Sequence, residues 1–240
     1  MTVLAFDTAT PATAVALCRS GEPPLEARDD PAPGRRPGHA TRLLPLAVDL
    51  LRRAGIGWAD LERIAVGTGP GTFTGLRVGI ATARALARAR GIPLTGVSTL
   101  HSLALGGLAA EAASQPFDAI LAVLDARRRE VFVAGWRPSA LERGGEPFLS
   151  ARALRPEALA EQVVELGLSP VLVGNGAVEF RSVLERSEAL IPEGGSPLHQ
   201  VSAIHHCRLV RALPGGDPAD IHPEYLRLPD AEIARRSARP

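Results

Sequence analysis

Along the first part of the chain, short aliphatic runs alternate with segments whose apolar positions recur every three or four residues. Thr2 to Asp7 is an apolar run ending in an acid, and Ala12 to Cys18 is a second. The Thr8-Ala9-Thr10-Pro11 turn between them predicts a hairpin. Leu25 to Asp29 reads as a third strand, and Asp30 to Gly38, rich in Pro, Gly and Arg, as a loop. From His39, the residues Leu43, Leu46, Ala47, Leu50, Leu51 and Ala54 fall at helical spacing. Pro45 sits near the first turns of that helix and Gly55 stops it. Ile64 to Gly67 is a short buried strand, followed by a Gly-rich loop and a helix from about Gly75 to Arg90 that Gly91 caps. Pro93 to Val97 is another strand, and Ser98 N-caps a helix to about Ala113.

The second half repeats this order. Ala119 to Asp125 and Glu130 to Trp136 flank the turn Ala126-Arg127-Arg128-Arg129, again predicting a hairpin. A helix from Pro156 to Leu166, a strand from Val171 to Val173, a Gly174-Asn175-Gly176 turn into a helix through Arg186, and a helix from Ser202 to Leu213 follow. Each half is a hairpin and then strands alternating with helices, which predicts an α/β protein of two related lobes, each with a mixed sheet flanked by helices. The expected division is residues 1–115, residues 116–214 with the boundary at Gln115-Pro116, and a Pro- and Arg-rich surface tail over residues 215–240.

Composition narrows the chemistry. The 240 residues are 45% apolar, enough for a substantial core, and the longest apolar runs are too short to cross a bilayer. No basic segment precedes Asp7, so the start reads as a first strand rather than a leader and the cytoplasm is the expected location. The net charge of +1 supplies no overall attraction for nucleic acid or an anionic membrane. All 27 basic residues are arginine, which excludes Schiff-base chemistry and the P-loop lysine. Cys18 and Cys207 show neither metal spacing nor a disulfide framework and read as buried structural thiols.

The candidate sites follow from these elements. Gly67, Gly69 and Gly71 lead into Thr72 and Thr74 without the further glycine or lysine of the nucleotide-binding loops, leaving hydroxyls suited to capping the helix or binding an anion. Asp7 and Asp125 end the first strands of the two halves. Carboxylates at two such strand ends could hold a metal, but neither hairpin turn contains the glycines that let backbone amides approach phosphate. Asp7 reads first as a carboxylate satisfied by its own turn and by the hydroxyls of Thr8 and Thr10. None of the six histidines has another three or four residues later, so no helix offers a paired imidazole site, and His205 and His206 point to different faces. His39 marks a helix entry or an anion contact. Ser98 lacks the frame of a hydrolase nucleophile, because Leu100 stands where the second glycine of the elbow belongs.

The segment Gly69-Pro-Gly-Thr-Phe-Thr-Gly-Leu-Arg-Val-Gly79 resembles the hallmark of the TsaB family, formerly YeaZ. Phe6-Asp7-Thr8-Ala9-Thr10, His39 to Pro45, Leu124 to Val131 and Pro223-Glu-Tyr-Leu-Arg227 resemble other segments of that family, so the likeness spans almost the whole chain. The resemblance implies an actin-like, RNase H-like fold and a role in forming threonylcarbamoyladenosine beside the anticodon of tRNA. It implies a noncatalytic subunit without a cofactor of its own, partnering a catalytic TsaD-like chain and a TsaE-like ATPase that use ATP, with tRNA bound only in the complex. It further implies that the helices after His39 and Gly75 form one contact for both the homodimer and the TsaD-like partner. Leu43, Leu46, Ala47, Leu50, Leu76, Gly79, Ile80, Ala83, Leu86 and Ala87 are the interface candidates. Asp7, Asp125, Gly174 and Gly176 are the candidates for a vestigial cleft. The competing expectation is a stand-alone enzyme of the same fold, an ATP-dependent small-molecule kinase or a glycoprotease-like protease, resting on the two aspartates.

Overall fold

The first hairpin forms between β1 (Thr2–Asp7) and β2 (Thr13–Arg19), and β3 (Leu25–Asp29) extends it as an antiparallel meander. On the other side of β1 lie β4 (Arg63–Gly69) and β5 (Leu94–Ser98), both parallel, giving the order β3-β2-β1-β4-β5. The second sheet pairs β6 (Ala119–Arg127), β7 (Glu130–Trp136), β8 (Leu149–Leu154) and β9 (Pro170–Val173) in the order β8-β7-β6-β9. Here too the hairpin strands are antiparallel and β9 runs parallel to β6. The second lobe is thus the first without its last strand, the mixed-sheet arrangement of an actin-like, RNase H-like lobe. The computed structural model describes residues 1–32, 34–108, 117–142 and 144–227.

Strand β1 is apolar at successive positions because both faces of its sheet are covered. Leu4 and Phe6 point to one side, into a core shared with α1 (His39–Arg53) and α2 (Phe73–Arg90). Val3 and Ala5 point to the other, against α8 (Ala203–Leu209). Strand β6 repeats this. Ile120, Ala122 and Leu124 meet α3 (Thr99–Gly107), while Leu121 and Val123 meet α5 (Pro156–Glu165). The inner layer is therefore exchanged: α3, from the first half of the chain, packs on the second sheet, and α8, from the second half, packs on the first. The spatial division does not follow a cut near residue 115, and the expected boundary at Gln115-Pro116 lies outside the described residues. Each fully buried leucine at these faces contributes on the order of 1.5–3 kcal/mol, so the exchange makes each lobe's stability depend on the other half of the chain.

Several elements depart from the sequence expectation. Strand β8 and the short α4 (Pro138–Glu142) were not anticipated, because the alternation of Leu149 to Leu154 is weak on an edge strand with only Leu149 buried. The helix expected from Gly174 to Arg186 breaks into α6 (Asn175–Glu179), α7 (Arg181–Leu184) and a 3₁₀ turn. The helix capped by the Ser98 hydroxyl is described to Gly107, and residues 109–113 lie outside the described residues. Thr72 occupies the N-cap position of α2 without a side-chain cap bond. The tail is anchored as far as it is described. Gly216 bridges Leu94, Arg84 donates to the carbonyls of Ala219 and Ile221, and the Glu224 amide donates to Thr68 O at 2.7 Å. Arg227 then reaches the second lobe through a 2.8 Å ion pair with Glu130.

Candidate functional site

The glycine spacing of the hallmark segment acquires its reason at the β1–β2 turn. A Cβ on Gly67 would lie 1.9 Å from an Asp7 carboxylate oxygen, on Gly71 2.4 Å from the Ala9 carbonyl oxygen, and on Gly75 1.9 Å from the Thr8 carbonyl oxygen. On Gly79 it would meet the Thr8 hydroxyl at 2.3 Å. Glycines recurring every four residues thus let the start of α2 lie directly on the turn. Two hydrogen bonds close the contact: the Thr72 amide donates to Ala9 O and the Thr8 hydroxyl to Gly75 O, both at 2.7 Å. The Thr72 amide and the Thr8 hydroxyl are thereby taken up by contacts within the chain.

Asp7 lies beneath that contact, 1% exposed. It accepts the Ala9 amide at 2.7 Å, the Thr99 hydroxyl at 2.7 Å, and approaches His206 Nε2 at 3.0 Å. Burial by itself would raise its carboxyl, but the hydrogen bond and charge of His206, with the Ala9 amide and the Thr99 hydroxyl, hold it below the ordinary value. The expectation of a satisfied carboxylate holds in kind, with different partners: Thr8 is committed to Gly75, and the missing partners came from α3 and α8. His206 is therefore no ordinary packing residue. Its Nδ1 lies 2.8 Å from Ser102 Oγ, whose hydroxyl also reaches Ser202 O at 3.1 Å. Serine, histidine and aspartate stand in line, but all three are shut off from solvent, so the constellation braces α3 and α8 against β1 and offers no nucleophile to a substrate.

Asp125 has a different setting. It borders an interlobe cleft of about 240 Å³ lined by Thr10, Gly71, Phe73, Asn175, Tyr225 and Arg227 among others. Its Oδ1 accepts the Arg127 amide at 2.7 Å, its Oδ2 pairs with the Arg127 guanidinium at 3.2 Å, and its own amide donates to Asn175 Oδ1 at 3.1 Å. The two aspartates do not share a site, because only Asp125 faces the cleft. Gly174 and Gly176 do not border it either. A Cβ on Gly174, at φ 115°, would meet Val123 O at 2.2 Å, and one on Gly176 the Leu124 carbonyl carbon at 2.7 Å. Both admit the end of β6 against the β9–α6 turn. Among the described residues, no group of three or more His, Cys, Asp or Glu could hold a metal.

The interface candidates divide by burial. Leu43, Ala47, Leu50, Leu76, Gly79, Ile80, Ala83 and Ala87 are buried, while Leu46 and Leu86 are partly buried. The eight buried residues bind α1 and α2 to their own sheet and to the Asp7 turn, while Leu46 and Leu86 are only partly covered. The outward stripes lie elsewhere on the same helices: Leu44 and Val48 on α1, 43% and 50% exposed, and Ala81 and Ala85 on α2. His39 is buried at the entry of α1 with Nδ1 2.8 Å from the Thr13 hydroxyl, and burial lowers its pKa.

Comparison with known proteins agrees with this geometry. Escherichia coli "tRNA threonylcarbamoyladenosine biosynthesis protein TsaB" is 35% identical over 201 residues, covering 80% of this chain and 82% of the relative. The chain belongs to the TsaB family. An uncharacterized Mycobacterium tuberculosis protein is 36% identical over 96% of this chain and 94% of its own length. The crystal structure of YeaZ from Pseudomonas aeruginosa superposes with a TM-score of 0.73 at 28% identity, over 93% of this chain and all of that one. The family model "TsaD: tRNA N6-adenosine threonylcarbamoyltransferase" matches residues 36–148. In this member of the TsaB family, the hallmark segment seats α2 on the first turn. The Asp7–His206 contact had no local signal to find it, since the partners are 199 positions apart. Among the described residues, no helix is long and apolar enough to cross a membrane.

Proposed function

We propose that this chain is a noncatalytic binding subunit in the formation of N6-threonylcarbamoyladenosine on tRNA, docking a TsaD-like catalytic chain on the outward face of α1 and α2. The observation that carries the reading is the covered Asp7 turn: its carboxylate and the Ala9 amide are committed inside the protein, so Asp7 and Asp125 form no paired metal site at the cleft. ATP and its metal then belong to the partners, a TsaD-like chain and a TsaE-like ATPase, and tRNA is held by the assembly. The likeness of residues 36–148 to the TsaD model supports pairing between related chains, helix face to helix face. A homodimer through the same stripe would compete with that pairing.

Val48→Glu tests the face. At 50% exposure the change alters stability by no more than about 0.5 kcal/mol, but it places a charge in an apolar contact and weakens partner binding by at least about 2 kcal/mol. The folded variant is expected to lose the TsaD-like chain in a pull-down and to stop threonylcarbamoyladenosine formation in a reconstituted mixture. Retention of both would remove the interface from this stripe. Ala83→Glu serves only as a control for unfolding, since Ala83 faces the protein's own core.

A further inference from the structure

Cys18 and Cys207, remote in sequence, meet in the fold. Cys18 is near the end of β2, directly opposite Val3 of β1, and Cys207 on α8 sets its Sγ 4.0 Å from the Val3 carbonyl oxygen. Both cysteines share the wall of a surface cavity of about 170 Å³, which Arg19, Arg208, Arg211 and Glu22 also line. Their surroundings differ. Cys207 is 4% exposed within the apolar layer between α8 and the first sheet, whereas Cys18 reaches solvent. The neighbouring Cys207 thiol and the guanidinium groups of Arg208 and Arg211 favour the Cys18 thiolate, lowering its pKa against the effect of burial. The Cys18 side chain beside it, burial and the nearby Glu26 push the Cys207 thiol up. An accessible thiolate beside a protonated, enclosed thiol is the arrangement of an attacking and a resolving cysteine.

We propose that Cys18 and Cys207 form a redox-active dithiol that a hydroperoxide converts into an intramolecular disulfide. The Cys18 thiolate attacks one peroxide oxygen. The O–O bond breaks, leaving Cys18 as a sulfenic acid and releasing hydroxide or alkoxide, which takes a proton from solvent. The Cys207 sulfur, losing its proton to water, then attacks the Cys18 sulfur. The S–O bond breaks, the S–S bond forms, and the hydroxide leaves as water, so the dithiol gives up two electrons and the peroxide accepts them. A small thiol reverses the change by exchange. The disulfide would tie α8 to β2, and α8 also carries His206, the residue that holds Asp7.

The test treats the reduced full chain with stoichiometric hydrogen peroxide and maps its peptides without reduction. A Cys18–Cys207 cross-link that dithiothreitol reverses, with loss of both free thiols, is the expected result. Cys207→Ser should stop at a Cys18 sulfenic acid captured by dimedone, and Cys18→Ser should consume peroxide about ten-fold more slowly than the native chain. Over-oxidation of Cys18 in the native chain without a cross-link would overturn the proposal, as would equal peroxide consumption by native chain and folded Cys18→Ser. The native-chain map needs no variant, so it decides the matter even if a substitution at the enclosed Cys207 impairs folding.

Discussion

Both lobes open on a hairpin whose first strand ends in an aspartate, and in both the carboxylate accepts the amide two residues on at 2.7 Å, Ala9 in one and Arg127 in the other. In both, a glycine at the end of the neighbouring parallel strand leaves room for the first strand's end, Gly67 in the first lobe and Gly174 in the second. Beyond that the turns diverge. The first is covered by the glycine face of α2 and braced from behind by Thr99 and His206. The second ends in Arg127, Arg128 and Arg129 at φ 64°, 55° and 58°, an unusual left-handed run of non-glycine residues, with Asp125 left beside the cleft. One local turn design thus becomes core in one lobe and surface in the other, and the deciding factor is which distant elements pack against it.

The sharpest way to break this comparison is Gly75→Ala. Its Cβ would meet a backbone oxygen at 1.9 Å, and neither α2 nor the turn can yield, so a loss of about 4 kcal/mol or more is expected. Gly176→Ala, where the nearest atom is at 2.7 Å, should cost less. Thermal melts of the two variants check the order, and a Gly75→Ala protein that melts like the native chain would mean the first turn is not clamped. Next in size is Asp7→Ala, which strands His206 in the interior and should cost about 3–5 kcal/mol in urea unfolding. Asp125→Ala removes a partly solvated pair and should cost less than about 1 kcal/mol.

The pH dependence should separate the same regions. The Asp7 carboxyl is lower in the folded chain than its ordinary 3.8, so its contribution is present above about that pH and is lost as pH falls through the folded value. His205 on α8 is held at about 4 by burial first and then by the charges of Arg208 and His206, and its Nδ1 is buried without a partner. Its neutral form stabilises the fold. That contribution is complete above its ordinary 6.5 and is lost as pH falls from there towards 4. His205→Gln should flatten this part of the stability profile by about 2–3 kcal/mol and leave the limb below it in place, as read by urea midpoints across the pH range. The smallest effect is expected at the second turn. Arg129→Gly suits the left-handed backbone and should change stability by less than about 1 kcal/mol, in the stabilising direction, where a glycine in the covered first turn would gain nothing comparable.

Much of the architecture was legible because its signals are local. The runs Thr2 to Asp7, Leu25 to Asp29 and Glu130 to Trp136 are strands with those bounds, and Gly91 caps α2 in the left-handed conformation. The periodicity of Leu43, Ala47 and Leu50, and of Leu76, Ile80, Ala83 and Ala87, correctly marked the apolar side of each helix. That side packs on the chain's own sheet, and periodicity could not say so, because it shows that a face is buried and says nothing of what buries it. The exposed Leu44 and Val48 break that pattern, which is the signal that could have found the outward stripe.

The sequence by itself determined the repeated hairpin-first order, the absence of lysine chemistry and the hallmark segment that marks the family, since each rests on neighbouring residues or on composition. Only the tertiary structure decided that the hallmark glycines receive the chain's own turn, that α3 and α8 exchange lobes, that His206 secures Asp7 and that Cys18 meets Cys207. These are contacts between residues far apart along the chain. Their geometry comes from the packing of whole helices against both faces of two sheets, and no local preference of the residues involved contains it.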